Sequence, residues 1–369
     1  MSNMVKESRH FWGFALSEFS YFFIWAITYG FLTLWLEKVA NVTGAQAGVI
    51  FSLMAGMSLV FQPIFGVVSD KLVFRKNLLL TISIAAILTG PYFQWLFMPL
   101  FNISPILVSV ITGVFLAFVL NGGVSVIEQY VERASIANKF EYGHARMGDN
   151  KDEKMTKKDI FSIFKLRNFW ILALFYMGAS ALFDVFDQQF IVFFKTFFET
   201  DAQGTMVYSY MTSAQTALEL ALMIPMPYII NKIGARNGLI IYGFLTCLRI
   251  VGSALSPSWI WIIFFRLLAG LEMPLLLVSI MKYIAEAFDI RLYATIYALA
   301  SNFAKQISVF IFSSAAGSMY DSIGYQHTYL ILGGIVFVIT LIAATFLEKG
   351  QKLSTVKHSD DVETDVAEE

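Results

Sequence analysis

Ten long apolar runs follow one another along the chain, near residues 10–35, 45–69, 77–99, 105–133, 168–194, 207–230, 237–255, 259–284, 292–314 and 327–347. Each approaches or exceeds the ~20 apolar residues that carry a helix across a bilayer. Polar or Gly/Pro-containing connectors separate them, such as 70–76, 102–105, 148–158, 232–237 and 321–326. The pattern predicts an all-α polytopic membrane protein with about ten spans. The first run is too long and too aromatic for a cleaved leader and is read as a retained span.

Lys and Arg in the connectors set the orientation. With the N-terminus inside, Lys71, Arg75, Lys76, Arg133, Lys139, Arg146, Lys151, Lys154, Lys157, Lys158, Lys165, Arg167, Lys232, Arg236, Lys282 and Arg291 fall on the cytoplasmic side. Only Lys38 and Lys195 fall outside. The asymmetry predicts an even number of spans and two cytoplasmic termini in a cytoplasmic (inner) membrane. The expected organisation is a four-span half over 1–147, a cytoplasmic linker over 148–166, a six-span half over 167–347 and an acidic, disordered tail over 348–369. Two glycosylation-like triplets, Asn41-Val42-Thr43 and Asn102-Ile103-Ser104, are short enough to arise by chance.

Composition agrees with the pattern. The chain has 369 residues, is 57% hydrophobic and has a mean hydropathy of +0.66. Charged residues make up 14%, against roughly 25% in soluble domains. The net charge of −1 gives no reason to expect nucleic acid. The lone Cys247 rules out an internal disulfide and reads as a small apolar filler. There is no phosphate loop, metal cluster or nucleophile–base pairing. His10, His144, His327 and His358 lie at span edges, linkers or tails. An ATP-driven pump, an intramembrane enzyme and a bound metal or cofactor therefore have no support.

The charges inside the apolar runs change the picture most. Arg249, Arg266 and Lys305, with Glu128, Asp184, Asp187, Glu219, Glu272 and Glu18 as a sixth candidate acid, sit where helix should meet hydrocarbon. An ionised side chain at the bilayer centre costs at least ~2.5–3.5 kcal/mol, so such groups are rare and usually functional. Together they predict a polar cavity between helices. Asp184 and Asp187 are three apart and share a helix face, as do Arg266, Ala269 and Glu272. Lys305 and Arg266 are the obvious mates for the two aspartates. The bland alternative is a structural polar seam. Glu272 and Arg249 lie at similar depth in neighbouring spans. An acid facing a base stays ionised, and with the base withdrawn it takes up a proton. That is a recipe for proton coupling, and its alternative is a permanently closed ion pair. Glu128 and Glu219 have no assigned base and could accept hydrogen bonds from sugar hydroxyls. Tyr21, Trp25 and Trp12 could stack on a sugar, although ordinary packing is the commoner role of any one aromatic here.

Four segments resemble a known family. Gly66-Val-Val-Ser-Asp70-Lys71-Leu-Val-Phe-Arg75-Lys76 resembles the loop after the second span of major facilitator transporters. Phe183-Asp184-Val-Phe-Asp187-Gln188-Gln189-Phe190 is more specific and resembles the lactose and sucrose permease branch, the oligosaccharide:proton symporters. So do Phe140–Met147 and Ile229–Gly234. The resemblance implies the major facilitator fold and symport of a di- or oligosaccharide with a proton by a monomer, without a further cofactor. It implies sugar contacts at Glu128, Arg146, Glu219, Thr216, Asn121 and Trp25. It implies charge pairs Asp184–Lys305 and Asp187–Arg266, and proton exchange at Glu272 and Arg249.

The chain departs from the family's pattern in four places. The second sugar-site glutamate falls on Thr216, with Glu219 three residues on, as in sucrose permeases. The coupling histidine falls on Ala269. Val73 stands where the signature loop prefers glycine. After Met147 two spans are missing, so the family's twelve become ten, and the helix that would carry Arg146 into the membrane is lost. A non-transporting remnant or sensor, or proton-coupled efflux, are the alternatives to uptake.

Overall fold

In a computed structural model, residues 2–72, 77–124, 126–127, 162–289 and 292–349 are described. Among them there is no strand. Helix α1 (Ser2–Ala40) extends well beyond the apolar run that predicted it. It is followed by α2 (Gly44–Leu72) and α3 (Asn77–Ile87), which runs on to Ile103 through a 44° bend and a π-helical turn at Tyr92–Phe97. Helix α4 (Pro105–Leu116) starts at Ser104, whose side chain accepts the Leu107 N–H, with Pro105 in the first turn where its missing N–H is harmless. It ends in a second π-helical turn, Ala117–Gly122.

The second half opens with α5 (Arg167–Phe175), a π-helical turn (Tyr176–Ser180) and α6 (Ala181–Gln188). Gln189 leaves the helical region (φ −118°, ψ 10°), and α7 (Phe190–Lys195) restarts after it. Then come α8 (Asp201–Met223), α9 (Met226–Ile233), α10 (Ala235–Ala254), α11 (Trp259–Leu267) and α12 (Ala269–Ala287). The half closes with α13 (Tyr293–Tyr297), a fourth π-helical turn (Ala298–Phe303) and α14 (Ala304–Phe346).

Among the described residues, seven helices are long and apolar enough to span a bilayer, or eight if the bent Asn77–Ile103 pair is one span, against the ten expected. The 52-residue stretch Thr295–Phe346 is one of them. At 1.5 Å per residue it would be about 78 Å long, far more than the ~30 Å of hydrocarbon. It is two spans, divided where Gly324 adopts φ 81°. Helix α8 is long enough to cross but fails on hydropathy. Thr205, Ser209, Thr212, Thr216 and Glu219 recur along it at helical spacing, so one face is polar. The run expected over 207–230 is in fact α8 and α9, broken at Ile224–Pro225. Proline lacks the N–H that a continuous helix would need.

Two cores form. One gathers buried residues between Tyr21 and Ile127, the other between Ile163 and Leu347. A small third cluster, Ala55, Ala181 and Val309, joins α2, α6 and α14 across the boundary. Helices α2 and α14 nearly touch backbone to backbone there. A Cβ on Gly48 would collide with the Ser313 carbonyl oxygen, and one on Gly317 with the Gly44 carbonyl oxygen. Only glycine permits that approach.

The same end of the bundle carries most of the polar bonds between the halves. Asp321 accepts the Gly44 and Ala45 N–H groups at 3.0 and 2.8 Å, capping α2. Gln189 Nε2 donates to the Gly44 carbonyl at 2.9 Å. Thr33 donates to the Gln188 carbonyl, one freed by the break after α6. Lys195 meets Glu37 and lies 3.8 Å from Asp201, and Lys38 also meets Asp201. The charge asymmetry of the connectors predicts that this end faces outward. There the Lys38 ammonium holds the Asp201 carboxyl below the usual carboxylate range.

Candidate functional site

The motif Phe183–Phe190 explains how this segment can carry two acids at membrane depth. Asp184 and Asp187 are one helical step apart, and Phe183, Phe186 and Phe190 flank them on α6 and α7. The aromatic faces and carboxylates together make seats for cations. The Arg249 guanidinium lies 4.3 Å from the Phe183 ring centre and 4.9 Å from that of Phe186. Arg266 lies 4.9 Å from the Phe190 ring. Desolvated arginine over an aromatic face gains about 2 kcal/mol.

Helices α10, α11 and α12 bring in the remaining charges. Arg249 Nε donates to Glu272 Oε1 at 2.9 Å and to Oε2 at 3.2 Å. Its Nη1 donates to Asp187 Oδ1 at 3.0 Å, and Arg266 Nη1 donates to the same oxygen. Both Arg249 and Glu272 are fully buried, and Arg266 is nearly so. The four groups form one chain in space: Glu272, Arg249, Asp187, Arg266. Asp184 stands beside it and binds Lys305 through Oδ2 at 2.8 Å. That pair is more open, with each side chain 23% exposed.

The pairings Asp184–Lys305 and Asp187–Arg266 are both present, as is Arg249–Glu272. The structure adds that Asp187 serves both arginines, so two expected pairs are one network. Such an assembly is stable only because every carboxylate meets a base. Unpaired, each ion would face a desolvation penalty of several kcal/mol.

The expected sugar contacts are more scattered. Glu219 is half-buried on α8 and has no ion-pair partner among the described residues. Thr216 is exposed on the same face, its hydroxyl donating to the Thr212 carbonyl at 3.1 Å. Asn121 Nδ2 donates to Ser58 Oγ at 2.5 Å from the π-helical turn after α4. Trp25 stacks on Tyr29, with ring centres 5.1 Å apart and 10° between planes. Tyr21 is buried and donates to the Val119 and Leu120 carbonyls at 2.5 and 3.1 Å. Its hydroxyl is therefore committed to the π-helical turn and not to a solute. Glu128, Arg146 and Arg75 lie outside the described residues, as do the side chains of Trp12, Glu18, Gly66, Asp70 and Lys71, although the backbone of the last three belongs to α2.

Sequence reasoning missed three contributors. Thr246 donates to Glu272 Oε2 at 3.2 Å and is fully buried. Its signal was the spacing Tyr242, Thr246, Arg249, one face of α10. Ser308 donates to the Met177 carbonyl at 2.5 Å, tying the π-helical turn before α6 to the helix that carries Lys305. Lys195, expected at a solvated edge, is buried to 5% side-chain exposure against Glu37.

Comparison with known proteins accords with this geometry. The chain is 35% identical to the melibiose permease of Enterobacter cloacae and 34% identical to the raffinose permease of Escherichia coli. These matches cover 95% and 93% of the chain and 95% and 94% of the relatives. It is 28% identical to the sucrose permease of Escherichia coli, over 95% of the chain and 96% of the relative. The melibiose permease alignment runs over 405 residues, longer than the 369-residue chain itself, so the relative holds residues that this chain lacks. Among solved structures, the nucleoside transporter NupG superposes with a TM-score of 0.72 at 15% identity, covering 91% of this chain and 99% of that one, which identifies the major facilitator fold. The sequence profile of the LacY proton/sugar symporters matches residues 3–150 and 147–360, two pieces that meet where the sequence suggests a gap after Met147. The chain is a multi-pass inner-membrane protein and belongs to the LacY proton/sugar symporter family.

Proposed function

We propose that this chain imports a di- or oligosaccharide together with a proton by alternating access, as a monomer and with no cofactor beyond the proton. The observation that carries the reading is the buried chain Glu272–Arg249–Asp187–Arg266. A carboxylate sealed from water beside a movable base has the ingredients of a proton carrier: while Arg249 is in place Glu272 holds negative charge, and with Arg249 withdrawn it binds a proton. Glu272 is the carrier and Arg249 the group that controls it. Asp184–Lys305 and Asp187–Arg266 keep the remaining charges neutral in pairs and hold α6 against its neighbours.

Glu128, Arg146, Glu219, Thr216, Asn121 and Trp25 are the sugar contacts in this reading. Carboxylates and amides accept and donate to hydroxyls, and an indole stacks on the apolar face of a pyranose. The outer end is shut by Gly48, Gly317 and the Lys195 cluster, which suits a state that has released its outer opening.

The test is uptake of labelled lactose, melibiose, raffinose and sucrose into cells, with and without a proton gradient. Gradient-dependent accumulation of at least one sugar is expected. Normal membrane insertion with no uptake at any pH would overturn the reading in favour of a non-transporting remnant. Exclusion of the sugar from energised cells would overturn it in favour of efflux.

A further inference from the structure

We propose that Thr246 is a positioning residue for Glu272: its hydroxyl holds the carboxyl in both charge states and does part of what an imidazole at position 269 would otherwise do. The inference rests on the assignment of Glu272 as the proton carrier.

Position 269 is Ala, fully buried, so no side chain there can hydrogen-bond Glu272. Among the described residues Glu272 has two hydrogen-bond partners. Arg249 Nε reaches both oxygens, and Thr246 Oγ1 reaches Oε2 at 3.2 Å. These two differ in what they can do when a proton arrives. A guanidinium has five donors and no acceptor, so it can donate to either form of the carboxyl but cannot accept the O–H of the loaded acid. A hydroxyl donates to a carboxylate and accepts from a carboxylic acid. When Glu272 is loaded, its O–H can therefore turn to Thr246 Oγ1. The threonine hydrogen then swings to another acceptor, as helical Thr does when it donates to the carbonyl four residues back. An O–H of a hydronium ion breaks as the Glu272 O–H forms, water is the leaving group, and no other covalent bond changes; only the hydrogen bonds of Thr246 are redirected.

The seat is rigid. Thr246, Glu272 and Arg249 are each fully buried, and α10 and α12 pack side by side. The charged and titratable groups facing Glu272 are Arg249 and Tyr242 from α10 and Asp187 from α6, with Arg266 from α11 one bond further on. Apart from Thr246, none of them is a neutral hydrogen-bond partner of Glu272.

The experiment is an infrared titration of the full chain in lipid, following the carbonyl stretch of a protonated carboxylic acid. A band lost in Glu272→Gln identifies the carrier. Thr246→Val keeps the shape and removes the hydroxyl, and its band should titrate at higher pH by about 0.5–1 unit, because the charged form loses the stronger of its two possible bonds. Its frequency should also rise, since the loaded acid loses its acceptor. Thr246→Ser should return both to the parent values. A Thr246→Val band that matches the parent in midpoint and frequency would overturn the proposal. So would a shift that Thr246→Ser reproduces, which would assign the effect to packing. If no titrating band vanishes in Glu272→Gln, the failure lies instead with the proton-carrier assignment.

Discussion

Arg249 bridges Glu272 and Asp187, donating to the first at 2.9 Å through Nε and to the second at 3.0 Å through Nη1. One guanidinium thus joins a fully buried acid on α12 to an acid on α6, the helix whose last carbonyl is held by Thr33 of the other half. A movement of α6 relative to α10 changes the company Glu272 keeps. Neutralising the acid should uncouple the proton from the sugar. Glu272→Gln is expected to abolish gradient-driven accumulation while sparing exchange of labelled for unlabelled sugar across the membrane. Both are measured in the same vesicles, and accumulation that persists in the variant would remove Glu272 from the proton path.

The two charge pairs differ in depth, and their variants should differ accordingly. Asp184 and Lys305 are each 23% exposed, so water can shelter whichever is left alone. Asp184→Asn should lower stability by about 1–2 kcal/mol, with Asp184→Asn combined with Lys305→Met recovering most of it. Asp187 serves two arginines that are almost completely buried. Asp187→Asn should cost about 3–5 kcal/mol, because Arg266 keeps its charge without a counter-charge. Thermal unfolding in detergent would show the order, and equal losses for the two single variants would contradict it.

How far these features can be read from the chain alone varies with their physics. That Asp184 and Asp187 need bases such as Lys305 and Arg266 was legible, because an ion deep in an apolar run has few alternatives to a mate; which base meets which acid came with the family resemblance. That Asp187 is shared was not, because sharing depends on where the α6 break and the Arg249 side chain come to rest. Thr246 was harder to read: it shares a face of α10 with Arg249, but a hydroxyl in a transmembrane helix normally bonds its own backbone, so its spacing alone did not point to Glu272. Lys195 lies at the end of a span, where lysines usually reach water, and only the three-dimensional packing of α7 against α1 and α8 buries it. Hydropathy located the apolar helices, seven or eight of which qualify as spans among the described residues against the ten expected, but the polarity of α8 and the turn at Gly324 are properties of faces and angles. An average over a window erases both.

The glycine contact between the halves invites a direct test. A Cβ on Gly48 would run into a backbone carbonyl, that of Ser313, which cannot rotate away. Gly48→Val should therefore wedge α2 from α14 at the outer end. The expected result is faster binding of labelled sugar from outside and loss of accumulation, since a carrier that cannot shut on one side cannot alternate. Parent-like accumulation in Gly48→Val would mean that this contact is not part of the closure.

Charge should hold the same end shut, and its pH response follows from Asp201. The Lys38 ammonium lowers the folded-state pKa of that carboxyl below its unfolded value, near 3.9 in model peptides. The stabilisation is therefore complete above the unfolded value and is lost as pH falls through the lower folded one. The closure should not change between about pH 5 and 8 and should loosen only below about pH 4. Lys195 is the stronger member, being 5% exposed and in contact with Glu37, whereas Lys38 and Asp201 are 43% and 50% exposed and open to salt. Spin labels at Val39 and Ser322, on a Cys247→Ser background, report the gap between the halves. Lys195→Met should widen that distance at any salt concentration. Lys38→Met should widen it less, and the parent at ~1 M salt, where the Debye length is ~3 Å, should resemble Lys38→Met. A parent distance that already widens between pH 8 and 5 would show that another group, and not Asp201, governs the latch.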